Sequence, residues 1–85
     1  MKIGVAGTEE SNDVKITVKY SDEIEIHIES IVYEFYGEQI EKTIRNTLQE
    51  MGIEKLYVLC QDKGALDYTI RSRLITAINR MNEKE

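Results

Sequence analysis

The stretch "DVKITVKYSDEIEIHIES", residues 13–30, alternates twice. In its first half Val14, Ile16, Val18 and Tyr20 share one face, with Lys15, Thr17 and Lys19 opposite. In its second half Ile24, Ile26 and Ile28 share one face, with Glu25, His27 and Glu29 opposite. A period of two marks a strand with one buried face, so two half-buried strands are expected, joined as a hairpin. A two-residue turn at Ser21-Asp22 would set Val18 against Glu25, apolar against charged. A three-residue loop, Ser21-Asp22-Glu23, pairs Tyr20 with Ile24, Val18 with Ile26 and Ile16 with Ile28, and sets Lys19 against Glu25 and Lys15 against Glu29. Opposite charges so placed contribute ~0.2–1 kcal/mol each, and a one-residue slip would turn every isoleucine to water. Loops of this length favour a left-handed glycine. None is present, so Asp22, or a longer and looser turn, must serve.

Downstream the period changes. Val32, Tyr36, Ile40, Ile44, Leu48 and Met51 recur at spacings of three and four, an apolar helical stripe. Gly37 interrupts it at a cost of ~1 kcal/mol in a helix interior, so the helix begins near Ile31 or near Gly37, and Gly52 is placed to cap its end. The run Leu56–Cys60 reads as an inner strand, or one covered on both faces. After "QDKG" a second helix spans 65–81, with Leu66, Ile70, Leu74, Ala77, Ile78 and Met81 as its stripe. Residues 1–12 contain glycine and lack periodicity, which reads as a flexible arm, and 82–85 read as a polar tail. The expected architecture is α+β: two layers in the order β-β-α-β-α, a small three-stranded mixed sheet with both helices on one face. The helix between the second and third strands is a crossover that allows them to be parallel neighbours.

At 85 residues one domain is expected, covering 1–85. The net charge of −5 argues against a nucleic-acid binder, which needs a basic face to displace counterions. No run approaches the ~18 apolar residues of a membrane span, and "MKIGVAG" has no apolar core of a signal peptide. One cysteine and one histidine give neither an internal disulfide nor a zinc site, in keeping with a reducing cytoplasm.

Each candidate for chemistry has a simpler reading. Cys60 ends an apolar strand and reads as a small buried hydrophobe. His27 points outward from its strand, poorly placed to activate that thiol, and reads as a cross-strand partner of Thr17. Glu9, Glu10, Asp13, Asp22 and Glu23 lack the spacing of a calcium loop and read as solvated acidic surface. In "QDKGALD", residues 61–67, a strand-to-helix turn at Gly64 could face a phosphate beside Lys63, but the phosphate-loop pattern is absent, and a turn capped by Asp62 or Asp67 is the simpler reading. Arg71, Arg73, Arg80 and Lys63 make the second helix's side locally basic, suited to an acidic partner or a phosphate-bearing arm. Ser11 has no neighbouring base and is no activated nucleophile. With no catalytic constellation, the chain reads as a carrier or binding module.

Three stretches taken together are more specific. "AGTEES-x-D" at 6–13, "FYGEQI" at 35–40 and "DKGALD-x-x-x-R-x-R" at 62–73 resemble the acyl carrier (gamma) subunit of citrate lyase, in the same order across nearly the whole chain. The resemblance implies that Ser11 carries a 2'-(5''-phosphoribosyl)-3'-dephospho-CoA group through a phosphodiester. It implies a non-catalytic subunit serving an alpha (transferase) and a beta (lyase) subunit, with a prosthetic-group transferase and an acetyl-activating ligase as transient partners. It also suggests Lys63, Arg71 and Arg73 for docking phosphates or a partner. This chain departs from the family's common pattern at Glu9, where leucine is frequent, and at Tyr68, where cysteine is frequent. A carrier of citramalate lyase or malonate decarboxylase, or a non-carrier interaction domain, remains as an alternative.

Overall fold

The structure is a computed structural model that describes residues 2–83. Four strands and two helices follow in the order β1 (Ile3–Gly7), β2 (Val14–Lys19), β3 (Ile24–Ser30), α1 (Tyr33–Glu50), β4 (Leu56–Asp62) and α2 (Asp67–Glu83). The sheet is ordered β1-β2-β4-β3. β1 and β4 both run antiparallel to β2, and β3 runs parallel to β4. The fold is α+β with a mixed sheet, as expected, and α1 connects the parallel neighbours β3 and β4.

Two expectations are corrected. First, residues 13–30 do not form a hairpin: β4 lies between β2 and β3. The faces were read correctly, since Val14, Ile16 and Val18 are fully buried and Ile24, Ile26 and Ile28 pack against the core. Apart from Tyr20 with Ile24, the predicted pairs are each split by one residue of β4. Lys15 pairs with Gln61, which pairs with Glu29, and Lys19 pairs with Tyr57, which pairs with Glu25. The reason is competition for the centre. β4 buries Leu56, Val58, Cys60 and Asp62 on its inner face and carries Tyr57 and Leu59 on the other, so it gains most from neighbours on both edges. β3, with Glu25, His27 and Glu29 outward, tolerates an edge. Tyr20, assigned to the buried face, lies in the connector and is exposed.

Second, the expected arm contains a strand. Residues 3–7 pair along β2 from Ile3 with Lys19 to Gly7 with Lys15. Their small side chains are the means of docking: Ala6 is buried, and a Cβ on Gly4 would stand 1.8 Å from the Ala77 carbonyl oxygen. β1 is poor in bulk because α2 crosses it closely, and Arg80 fastens the pair by donating to the Val5 carbonyl at 2.8 Å.

Both helices cover one face. α1 buries Ile40, Ile44, Thr47 and Leu48, and α2 buries Ile70, Leu74, Ala77 and Ile78. α1 starts at Tyr33, between the two alternatives, and Gly37 lies buried inside it beneath the Tyr33 ring. Its end is a Schellman motif: Gly52, at φ +69, donates to Gln49 O and Ile53 donates to Leu48 O. Leu66, expected in the second stripe, precedes α2 and is exposed, while Asn82 and Glu83 of the expected tail are helical. Lys84 and Glu85 of that tail lie outside the described residues.

Candidate functional site

Because β1, β3 and β4 point the same way, their carboxyl ends emerge together. The loop 8–13, the start of α1 and the turn 63–66 therefore share one end of the sheet. Ser11 sits there, exposed, in a turn at the tip of the loop joining β1 to β2.

The root of that loop is held firmly. Thr8 donates to Asp13 Oδ2 from both its amide and its hydroxyl, at 3.2 and 2.7 Å. The Val14 amide donates to Asp13 Oδ1 at 2.7 Å. Arg73 closes on the same carboxylate with a fork, Nε to Oδ1 and an Nη to Oδ2, both at 3.1 Å. These donors, led by Thr8 and Val14 and joined by Arg73, lower the Asp13 pKa to about 2. The backbone zips the loop to the next turn: Asn12 donates to Lys63 O at 2.8 Å, and Lys63 donates to Asp13 O at 2.9 Å. Asn12 adopts φ +67, which turns the chain back into β2 immediately after Ser11.

The neighbouring turn is built on Asp62, which is buried at 1 % exposure. Its carboxylate accepts from the Gly64 and Ala65 amides and from the Ser30 hydroxyl, at 3.1, 2.9 and 2.8 Å. Gly64 takes φ +92. Asp62 is thus the turn's cap, and Asp67 instead accepts from Gln39 across to α1 at 2.6 Å.

The sequence-predicted site residues divide accordingly. Lys63 is joined through its backbone to Asn12 and Asp13, the residues that follow Ser11. Arg73 is beside them but engaged with Asp13. Arg71 pairs with Glu50 at the far end of α1 and is not part of the cluster. Cys60 is buried in the core, and burial, reinforced by Asp62, pushes its thiol up to about 12, so it is inert near neutral pH. His27 lies on the opposite edge strand, stacked 5.2 Å from the Tyr57 ring and away from Ser11. Among the described residues no cluster of three or more His, Cys, Asp or Glu could hold a metal ion, and no helix is long and apolar enough to cross a membrane.

Sequence reading missed the anchoring role of Asp13, because its partner Arg73 is sixty positions away. It also assigned Tyr36 and Leu66 to buried stripes. Instead Val32, Tyr36, Ala65, Leu66 and Tyr68 line an open groove of about 530 Å³ between the starts of α1 and α2. The crowding of Ile31, Tyr33, Phe35 and Tyr36 into six positions was the available signal, since one helical stripe cannot bury them all.

An exposed serine at a braced turn, without a base beside it, is suited to modification by another enzyme. Comparison with known proteins gives the family. Residues 1–81 match the family model described as "ACP: Malonate decarboxylase delta subunit (MdcD)". The citrate lyase acyl carrier protein of Halothermothrix orenii is 46% identical over 79 residues, covering 92% of this chain and 84% of that one. Its counterpart in Lactobacillus acidophilus is 45% identical over 82 residues, covering 95% and 84%. The chain belongs to this acyl carrier family. In structure it resembles a chain of the Pseudomonas malonate decarboxylase hetero-tetramer, with a TM-score of 0.82 at 15% identity over 94% of this chain and 84% of that one, a likeness of fold. Membership in an acyl carrier family implies a covalently attached prosthetic group. The residues fit one: Ser11 is exposed, and the Lys63 backbone is bonded to the adjoining Asn12.

Proposed function

We propose that this chain is the acyl carrier subunit of citrate lyase, with residues 1–85 serving as one carrier domain and Ser11 as the point of attachment. The observation that carries the reading is an exposed, unactivated serine at the tip of a loop whose root is braced, in a chain 46% identical to a citrate lyase acyl carrier protein. The group is a phosphoribosyl dephospho-CoA joined to Ser11 Oγ through a phosphodiester. When attached, it supplies a terminal thiol that carries acetyl and citryl as thioesters during cleavage of citrate to oxaloacetate and acetate.

The chain's own residues supply placement. Asp13, Thr8 and Arg73 fix the loop's root, so Ser11 projects from a defined point while its own turn stays solvent-facing. Lys63, whose backbone is bonded to Asn12, is the residue we assign to offset the phosphodiester's charge. Arg73 acts by holding Asp13, and Arg71 serves the α1–α2 seam or a partner surface. The inert Cys60 leaves the carried thiol without an internal competitor for acyl groups. Tethering raises the local concentration of the thioester at the alpha and beta subunits to roughly millimolar without adding acid–base chemistry. A dedicated transferase forms the Ser11 bond, an acetyl-activating ligase primes the thiol, and a reducing cytoplasm suits both.

The test is intact mass after expression with the synthesis and transfer enzymes, followed by thiol titration of the folded protein at neutral pH. Wild type is expected to gain one group and expose one reactive thiol. Ser11→Ala is expected to gain nothing and expose none. An equal gain in the variant would remove Ser11 as the site.

A further inference from the structure

We propose that the groove between α1 and α2 docks the adenine base of the group carried on Ser11, leaving its thiol-bearing half free to swing. This rests on the Ser11 reading and deepens it.

Three observations converge. The first is placement. Gly64 and Ala65 line the groove, and the same turn is zipped to the loop through Asn12 and Lys63. An added Cβ on Gly64 would lie 3.8 Å from Asn12 Oδ1, one residue from Ser11. The groove therefore opens beside the attachment point. The second is surface chemistry. Tyr36, Leu66 and Tyr68 stand 57, 61 and 72% exposed at its walls, while Tyr33 and Phe35 of α1 are exposed outside it. Its volume, about 530 Å³, falls in the range of small-ligand sites. Aromatic walls bind planar bases through their faces.

The third is the polar rim. Gln39 and Asp67 both line the groove and bond to each other through Gln39 Nε2 and Asp67 Oδ2. That bond leaves Gln39 Oε1 and Asp67 Oδ1 as acceptors. Two acceptors beside an aromatic wall suit the exocyclic amine of a purine. The pantetheine half, flexible and amide-rich, has no planar face to stack. In the group placed on Ser11, a phosphate and two sugars separate the serine from the base. The base is thus the part held near the anchor, and the thiol is the part sent outward. A docked base would set the direction in which the thiol leaves the protein and shorten its search.

The experiment is amide NMR on the unloaded chain, titrated separately with dephospho-coenzyme A, adenosine and pantetheine, and then on the loaded chain. Dephospho-coenzyme A and adenosine are expected to shift residues 36–40 and 64–68, and pantetheine to leave them unmoved. Because tethering supplies roughly millimolar effective concentration, a millimolar affinity for the free ligands is sufficient. The exposed double variant Tyr36→Ser, Tyr68→Ser is expected to keep its remaining spectrum and bind dephospho-coenzyme A roughly tenfold more weakly. In the loaded chain the same residues are expected to shift at full occupancy. A chain loaded at Ser11 by mass, with these residues unshifted, would overturn the docking and leave the Ser11 reading intact. A chain that cannot be loaded would overturn the Ser11 reading instead, and the free-ligand titration would still decide whether the groove takes a base. Equal shifts with pantetheine, or none with any probe, would sink the proposal.

Discussion

The loops at the two ends of β2 are built on opposite plans. The one before it, residues 8–13, is braced by a carboxylate that collects donors from Thr8, Val14 and Arg73, and by backbone bonds to Lys63. The one after it, residues 20–23, crosses the amino end of β4 and is tied by a Ser21–Glu25 hydrogen bond of 2.9 Å and by the Leu56 amide donating to Glu23 O. One loop carries the candidate attachment site and the other only connects. The difference shows that an exposed turn can rest on a braced base. The hydrogen bonds gather at the root of the loop, and Ser11 stays exposed at its tip.

The sharpest way to break that contrast is at the root itself. Gly7 takes φ +91, and a Cβ there would stand 1.8 Å from the Val14 carbonyl oxygen. Gly7→Ala combines a left-handed penalty with overpacking against backbone, so about 3 kcal/mol of stability should be lost. Chemical denaturation would measure it, and a loss under 1 kcal/mol would show that the root is pliable after all.

Asp13→Ala should come next. It leaves Arg73 without its partner and Thr8 and Val14 without an acceptor, for about 1–2 kcal/mol. The pH dependence has a definite sign. The folded pKa of about 2 lies below the ordinary value of 3.8, so the carboxylate's contribution is present above pH 4 and is lost as pH falls towards 2. The variant's acid unfolding curve should therefore lie closer to wild type at pH 2 than at pH 5. An offset that stays constant across that window would separate Asp13 from the acid sensitivity.

How much of this was legible beforehand depended on whether the cause was local. Alternation gave the inward faces of β2 and β3 correctly, because burial of one face is a property of each strand alone. Their pairing was misjudged because it depends on β4, some thirty residues later, which competes for the central place. β1 was hidden because its docking relies on the smallness of Gly4 and Ala6, and periodicity detects bulk. At the candidate site, Ser11 was singled out only through family resemblance. The turn at Gly64 could be read from "QDKG", with Asp62 as one of two possible caps. The Asp13–Arg73 fork and the aromatic groove could not, since each joins segments that meet only in the folded chain.

The smallest predicted effect tests the other loop. Ser21→Ala removes one exposed hydrogen bond to Glu25 in a connector that spans β4 rather than closing a tight turn. Solvent replaces such a bond readily, so the change should stay within ~0.5 kcal/mol. Had residues 13–30 formed a hairpin, Ser21 would have sat in the turn that sets the register, and its loss would have propagated along both strands. Amide exchange distinguishes the two cases. In this topology protection at Val18 and Ile26 depends on β4 and should be unchanged by Ser21→Ala. Loss of protection at both would mean that the connector, not β4, holds the strands in place.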